Sequence, residues 1–299
     1  MKKIILLLVF VSAAFSQEIP SENFFYEFSY LNENGIEATI GVKNCYVRQD
    51  STSNSQLLDS LQIGQKIRVI KNTNENLNIK GLNLSWVEIE YSKNNQTQTG
   101  FLWKGFIAVG STTKGNTTFL TTLDSKYSKK VKQDDEEYDG EFYRISIKAI
   151  TSEHQIKAEK SFSKQLSESN YFQNSVVSSW GLKNLSEVYR ISFNGQACGI
   201  PSYHYYFGWN GKDFLSLPEK YDVGDAGAFY HTEEFLFPKE KGGQPDTIIK
   251  NIKEAVNTDD SSENYTFKVT KSTEYYSWDG KNFKLINTKK MKPYLEKEN

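Results

Sequence analysis

The chain has no excess of charge of either sign. Its 36 basic and 37 acidic residues include Lys2 and Lys3, and without those two the balance is 34 against 37, a net of −3. Nucleic acid is bound by a strongly basic face and an anionic membrane by a polybasic patch, so neither partner is expected. After Ser16 no apolar run approaches the ~20 residues that a membrane-spanning helix needs, and no stable membrane insertion is expected. Cysteine is limited to Cys45 and Cys198. Cys45 alternates with Val47 on an inward strand face, where Cys is commonly a small buried hydrophobe; a bridge to Cys198 is the alternative that an oxidising compartment permits. The histidines are His154, His204 and His231, without His-x-His or His-Glu-x-x-His spacing. Neither a metal nor a cofactor is expected.

What the first residues do contain is an export signal. Lys2 and Lys3 are basic, Ile4 to Phe10 is unbroken apolar, and Val11 to Phe15 extends the run with small residues. Ala14-Phe15-Ser16 offers small side chains at the two positions a signal peptidase reads, so residues 1–16 are expected to be removed by cleavage after Ser16. An apolar core of about a dozen residues is too short for an anchor, and no cysteine follows it for lipid attachment. The mature protein is expected in the periplasm or outside the cell, opening with an N-terminal segment, 17–34.

Length leaves room for two domains of the usual ~100–200 residues. Aromatics reach 14%, with 18 Tyr and 19 Phe. Together with abundant Thr, Asn and Ser they favour pleated, half-buried strands and their turns. The expected fold is mostly β, with few short helices.

From residue 35 to 110, short strand signals follow one another. Ile36–Val42 and Cys45–Arg48 alternate in polarity. A polar stretch leads to Leu57, Leu58 and Leu61, then Ile63-Gly64 and the strand Ile67–Ile70. After an Asn-rich loop comes Trp86–Tyr91, and Gly100–Trp103 with Phe106–Ala108 close the series. Five short strands in about 70 residues suggest a small barrel or sandwich. Val47-Arg48, the Leu57/Leu61 pair, Gly64 with Val69, Trp86-Val87-Glu88-Ile89 and Gly100-Phe101-Leu102, taken in order, resemble the bacterial SH3 domain. Tyr46 stands where that family has Asn, and the stretch Asn72–Leu84 is longer than its pattern. The resemblance implies a binding module for peptidoglycan peptide or glycan, with Trp86, Tyr91 and Trp103 as the groove aromatics; burial of Trp86 in the barrel core is the alternative.

Residues 111–140 shift to Ser, Thr, Lys and acid, with Lys126, Lys129, Lys130 and Lys132 ahead of Asp134–Glu137, and are expected as a linker and charged loop. Asp135, Glu137, Asp139 and Gly140 mimic half a calcium loop, but Ser146 occupies the place of its closing Glu, so no metal is expected there. Residues 141–290 read as a larger antiparallel β-rich domain, followed by a tail, 291–299. Val188–Phe193, Asn194-Gly195 and Gln196–Cys198 suggest a hairpin on a two-residue turn. Tyr206–Phe214 recurs as Tyr275–Phe283 with the skeleton aromatic pair, Trp, Asn/Asp-Gly-Lys, Phe. That is a hairpin pattern, and Trp209 and Trp278 are alternatively aromatic platforms for sugar rings. Ile248, Ile249, Ile252, Ala255 and Val256 fit one face of a short helix, with a strand the alternative.

The function expected is that of an exported non-enzymatic envelope protein, its SH3-like module binding cell-wall peptide or glycan or a protein partner. The alternatives are an interaction or inhibitor module working through the C-terminal domain, and a hydrolase drawing on Cys198, His204, His231, Glu233 or Glu234.

Overall fold

The computed structural model describes residues 35–133, 136–258 and 265–297; the export signal expected at residues 1–16 and the segment 17–34 lie outside them. The fold is mostly β, with 69% of the described residues in strands, a curled half-barrel sheet and larger antiparallel sheets. Among the described residues the only helical element is a 3-10 turn, Lys104–Phe106.

The first sheet holds β1 (Ile36–Thr39), β2 (Asn44–Arg48), β3 (Leu57–Gln62), β4 (Lys66–Ile79), β5 (Leu82–Lys93) and β6 (Gln96–Trp103), in the order β1-β4-β5-β6-β2-β3. Alternation decides what it buries: Cys45 and Val47 on β2, Ile67 and Val69 on β4, Val87 and Ile89 on β5 all face inward. Asn72–Leu84, expected as a loop, instead lengthens β4 and β5 into a hairpin. Its tip is Lys80-Gly81, both at positive φ (52° and 82°), the backbone of a tight two-residue turn. The tip rests on the next sheet: Lys126 N–H donates to Lys80 O at 3.0 Å, and a Cβ at position 81 would stand 2.3 Å from Lys126 O.

The second sheet runs β10 (Ile156–Gln165), β9 (Glu136–Ile150), β8 (Thr117–Gln133), β7 (Gly110–Lys114). Residues 111–114, 117–133 and 136–140 are therefore strand and not linker, and the reason is visible in the register. Lys130 faces Asp139 and Lys132 faces Glu137 across β8–β9. Lys130 and Asp139 pair at 3.0 Å and Lys126 and Glu141 at 2.9 Å. The lysine block and the acidic block are the two complementary sides of one long hairpin. The half-barrel docks on this sheet through one buried and one part-buried polar contact. Lys148 Nζ donates to Gly41 O at 3.0 Å, and His154 Nδ1 donates to Ile63 O at 2.7 Å.

The third sheet joins β11 (Tyr171–Ser178), β12 (Glu187–Asn194), β13 (Ser202–Trp209), β15 (Lys220–Asp225), β16 (Phe229–Leu236), β17 (Thr247–Asn257), β18 (Thr266–Trp278) and β19 (Phe283–Lys290); β14 (Phe214–Ser216) adds to β13 and β20 (Tyr294–Lys297) to β18. The expected helix at 248–256 is β17, paired on both sides by β16 and β18. Ladders on both flanks take up its backbone, and tertiary pairing overrides the helical period. Asn194-Gly195 does not make a two-residue turn: β12 ends at Asn194, β13 begins at Ser202, and residues 195–201 form a longer connection. Both copies of the repeat are hairpins. Trp209 pairs with Phe214 and Trp278 with Phe283. In the turns, Asn210 Oδ1 accepts the Lys212 and Asp213 N–H groups and Asp279 Oδ1 accepts those of Lys281 and Asn282.

A single apolar core runs through all three sheets, from Ile40, Val47 and Val87 through Phe119, Leu123, Ile145 and Ile147 to Tyr189, Phe193, Phe207 and Phe214. The aromatic contacts Phe162–Tyr205 at 4.9 Å and Phe119–Tyr189 at 5.5 Å cross from the second sheet to the third. Lys164, at the end of β10, is buried in this seam over the Phe193 ring, and burial pulls its ammonium down to about 8. A separate core on the opposite face of the third sheet gathers Val188, Tyr206, Phe237, Ile248 and Trp278.

Candidate functional site

The aromatics expected to line an open groove are interior. Trp86 is 4% exposed, Tyr91 7% and Trp103 3%. The lengthened hairpin explains Trp103, whose Nε1–H donates to Leu77 O at 2.9 Å and Leu84 O at 3.0 Å, so the indole is capped by the Asn-rich segment itself. Trp209 and Trp278 are 3% and 2% exposed. Trp278 donates its N–H to Lys183 O at 2.9 Å. Both are hairpin core, not platforms for a sugar ring. Cys45 is fully buried, with its thiol pushed up to about 12 by desolvation, while Cys198 is exposed in the 195–201 connection; both are free.

What the fold does open near Trp103 is a cleft of about 380 Å³ between the half-barrel and the second sheet. Val42, Ile79, Trp103 and Phe106 give it an apolar floor, Phe106 meeting Trp103 edge-on at 5.2 Å. Charges of both signs surround that floor: Lys80, Arg144 and Lys148 against Asp124 and Glu159. Asp124 is fixed by the hydroxyls of Thr122, at 3.0 Å, and Ser146. Lys148 is held by Gly41 O and stands 3.8 Å from Glu159. The site is therefore built from both sheets and holds fixed charges beside an apolar surface, which suits orientation of a small polar ligand.

A second concentration of polar groups lies on the third sheet, where β15 meets β16. Here side chains replace part of the backbone ladder: Glu233 Oε2 accepts the Tyr221 N–H at 3.0 Å and Asp222 Oδ1 accepts the Glu233 N–H at 3.1 Å. Lys250 sits between Glu233 and Glu274, at 3.3 and 3.4 Å. His231 contacts Glu254 through Nδ1 at 3.1 Å and Glu233 through Nε2 at 3.2 Å, with Tyr221 stacked on it at 4.1 Å. His204 reaches Ser192 at 2.8 Å and Asp222 at 3.0 Å. Burial drives the Asp222 carboxyl upward, but the His204 N–H, the Glu233 N–H and Lys220 outweigh it and hold the group at about 2. Of the residues named for a hydrolase, His231 and Glu233 meet. Glu234 alternates to the opposite, exposed side of β16, and both histidines take partners other than Cys198. Among the described residues no group of three or more His, Cys, Asp or Glu is placed to hold a metal, and no helix is long and apolar enough to cross a membrane.

Arg144, Lys148, Ser192 and Asp222 were not singled out by sequence reasoning. Each also depends on groups from other strands, and single polar residues inside β alternation give no local signal. No protein-family model, curated protein or solved structure matches the chain.

Proposed function

We propose that this chain is an exported binding protein of the cell envelope, in which an SH3-like half-barrel and the sheet beside it share one ligand cleft. The observation that carries the reading is the Trp103 cleft, with its apolar floor and fixed charges of both signs. A short wall peptide bears carboxylates, an amine and small apolar side chains, and that combination answers Arg144, Lys80 and Glu159 around the apolar floor. Support for the SH3-like part is the ordered motif set from Val47 to Leu102, together with a β4–β5–β6 meander that pairs back onto β2 and is followed by a 3-10 turn. A fold likeness alone assigns no ligand, and the residues now named for binding replace the buried aromatics.

Co-sedimentation of the full chain with purified peptidoglycan is the direct test, with Arg144→Glu as the matched variant. Arg144 is exposed, so the substitution spares the core. Retention by the intact chain, weakened about tenfold in the variant, a loss of about 1.4 kcal/mol, is expected. No sedimentation by the intact chain sinks the wall-ligand reading, and equal retention by both proteins moves the ligand out of the cleft.

A second reading, a protein partner taken by the C-terminal domain, rests on its own observation. Strand β19 ends the third sheet with all eight of its residues exposed, Ile286 at 58% and Leu285 at 46% among them. Open edges of this kind accept an added strand. Such a partner would be captured equally by the Arg144→Glu variant.

A further inference from the structure

We propose that Ser192, His204 and Asp222 form a nucleophile, base and orienting carboxylate that accept the acyl group of a carboxylic ester, at a site apart from the Trp103 cleft. The residues come from three neighbouring strands. Ser192 faces His204 across β12–β13, and Asp222 reaches the same histidine from β15. Ser192 Oγ stands 2.8 Å from His204 Nδ1, and His204 Nε2 stands 3.0 Å from Asp222 Oδ2.

Hydrogen-bond bookkeeping decides the tautomer. Asp222 also accepts from Lys220 Nζ at 3.2 Å and from the Glu233 N–H at 3.1 Å, so it is an ionised acceptor and His204 Nε2 must carry a hydrogen. In the neutral ring that leaves Nδ1 as a lone pair, and the Ser192 hydroxyl donates to it. This is the polarity a general base needs. The two ring nitrogens exchange the roles they have in the familiar protease triad, but what defines such a set is geometry and role.

A cross-strand polar pair that served only the sheet would need nothing above it. Here a cavity of about 250 Å³ opens over Ser192, bordered by Gln173, Ser175 and Arg190. The Ser175 hydroxyl is, among the described residues, the one buried side-chain polar atom with no hydrogen-bond partner. An unpaired buried hydroxyl is costly, and this one lines the same cavity as the serine. Arg190 lies two residues from Ser192 on the same face of β12 and is exposed. Ser175 and Arg190 together provide donors for the carbonyl oxygen as it becomes an oxyanion.

The steps balance without a cofactor. Ser192 Oγ bonds to the carbonyl carbon while its proton passes to His204 Nδ1, and Asp222 steadies the imidazolium. The ester C–O bond breaks and the departing alkoxide takes that proton. Water then attacks the acyl-serine, gives a proton to Nδ1, and the carboxylic acid leaves as Ser192 regains the proton. The sum is ester plus water to acid plus alcohol.

The test is labelling of the folded full-length protein with a fluorophosphonate, followed by peptide mass mapping and paired with p-nitrophenyl butyrate hydrolysis. The expected result is modification of Ser192, its abolition in Ser192→Ala, and a labelling rate at least tenfold lower in Asp222→Asn. Thermal melts of each variant accompany the rates, because a merely structural role for Asp222 would move the melt and leave the rate of the remaining folded protein unchanged. If folded wild type leaves Ser192 unmodified, or if Asp222→Asn labels as fast as wild type, the inference is overturned. Peptidoglycan retention is read separately, so failure here leaves the Trp103 cleft untouched.

Discussion

Replacing Lys164 by Met should make the protein more stable at neutral pH and no more stable at high pH. Among the described residues the ammonium, buried against Phe193, bonds Gln165 O at 3.1 Å and Ser167 Oγ at 3.2 Å, with no carboxylate among those partners. Desolvation takes the group from 10.5 to about 8. At about 1.4 kcal/mol per pH unit, keeping it charged in the fold costs about 3 kcal/mol below pH 8. Between about pH 8 and 10.5 the unfolded chain binds the proton that the folded chain has released, so stability rises with pH across that window. Met fills a similar volume without the charge but forfeits two hydrogen bonds, a loss of about 1 kcal/mol. The variant should therefore lead by about 2 kcal/mol at pH 7 and trail slightly at pH 10.5. Urea unfolding followed by tryptophan fluorescence at several pH values measures the difference, in which the titrations common to both proteins cancel. A gap between the two curves that stays constant from pH 7 to 10.5 would refute the reasoning.

Two further outcomes follow from side chains described above. Trp103→Phe removes the single N–H that serves Leu77 O and Leu84 O, and should cost about 1–3 kcal/mol while speeding amide exchange at the Lys80-Gly81 tip, as read by hydrogen–deuterium exchange. A maleimide applied to the native protein should modify Cys198 at once and reach Cys45 only after denaturation, since the Cys45 thiol is buried and held up to about 12; mass mapping that finds rapid labelling at Cys45 would contradict its place in the core.

The strands with strict alternation were legible, because a buried face imposes period two whatever lies across from it. Cys45/Val47, Ile67/Val69 and Val87/Ile89 all announce themselves that way. The repeated Trp-Asn/Asp-Gly-Lys turns were legible for the same local reason. The linker expected at 111–140 was not, since the outer part of the β8–β9 hairpin, 126–133 and 136–140, carries charge and reads like a solvated loop; only the complementarity of lysines on β8 with acids on β9 marks it. β17 misled because its apolar positions fit two periods at once, and its neighbours in the sheet decided. The candidate sites were the least legible part. Trp103 is written in the chain, but its cover comes from a hairpin 26 residues away, and Ser192, His204 and Asp222 meet only through the order of strands.

The continuity of the core from the half-barrel to the third sheet bears on kinetics. The two walls of the Trp103 cleft belong to elements that share Leu123, Ile145, Val87 and Trp103 in one packed interior. Neither wall can swing on a hinge without tearing that interior open. On the proposed reading a ligand enters a cleft whose walls are already packed together, so its association should follow a single exponential whose rate grows linearly with concentration and shows no plateau.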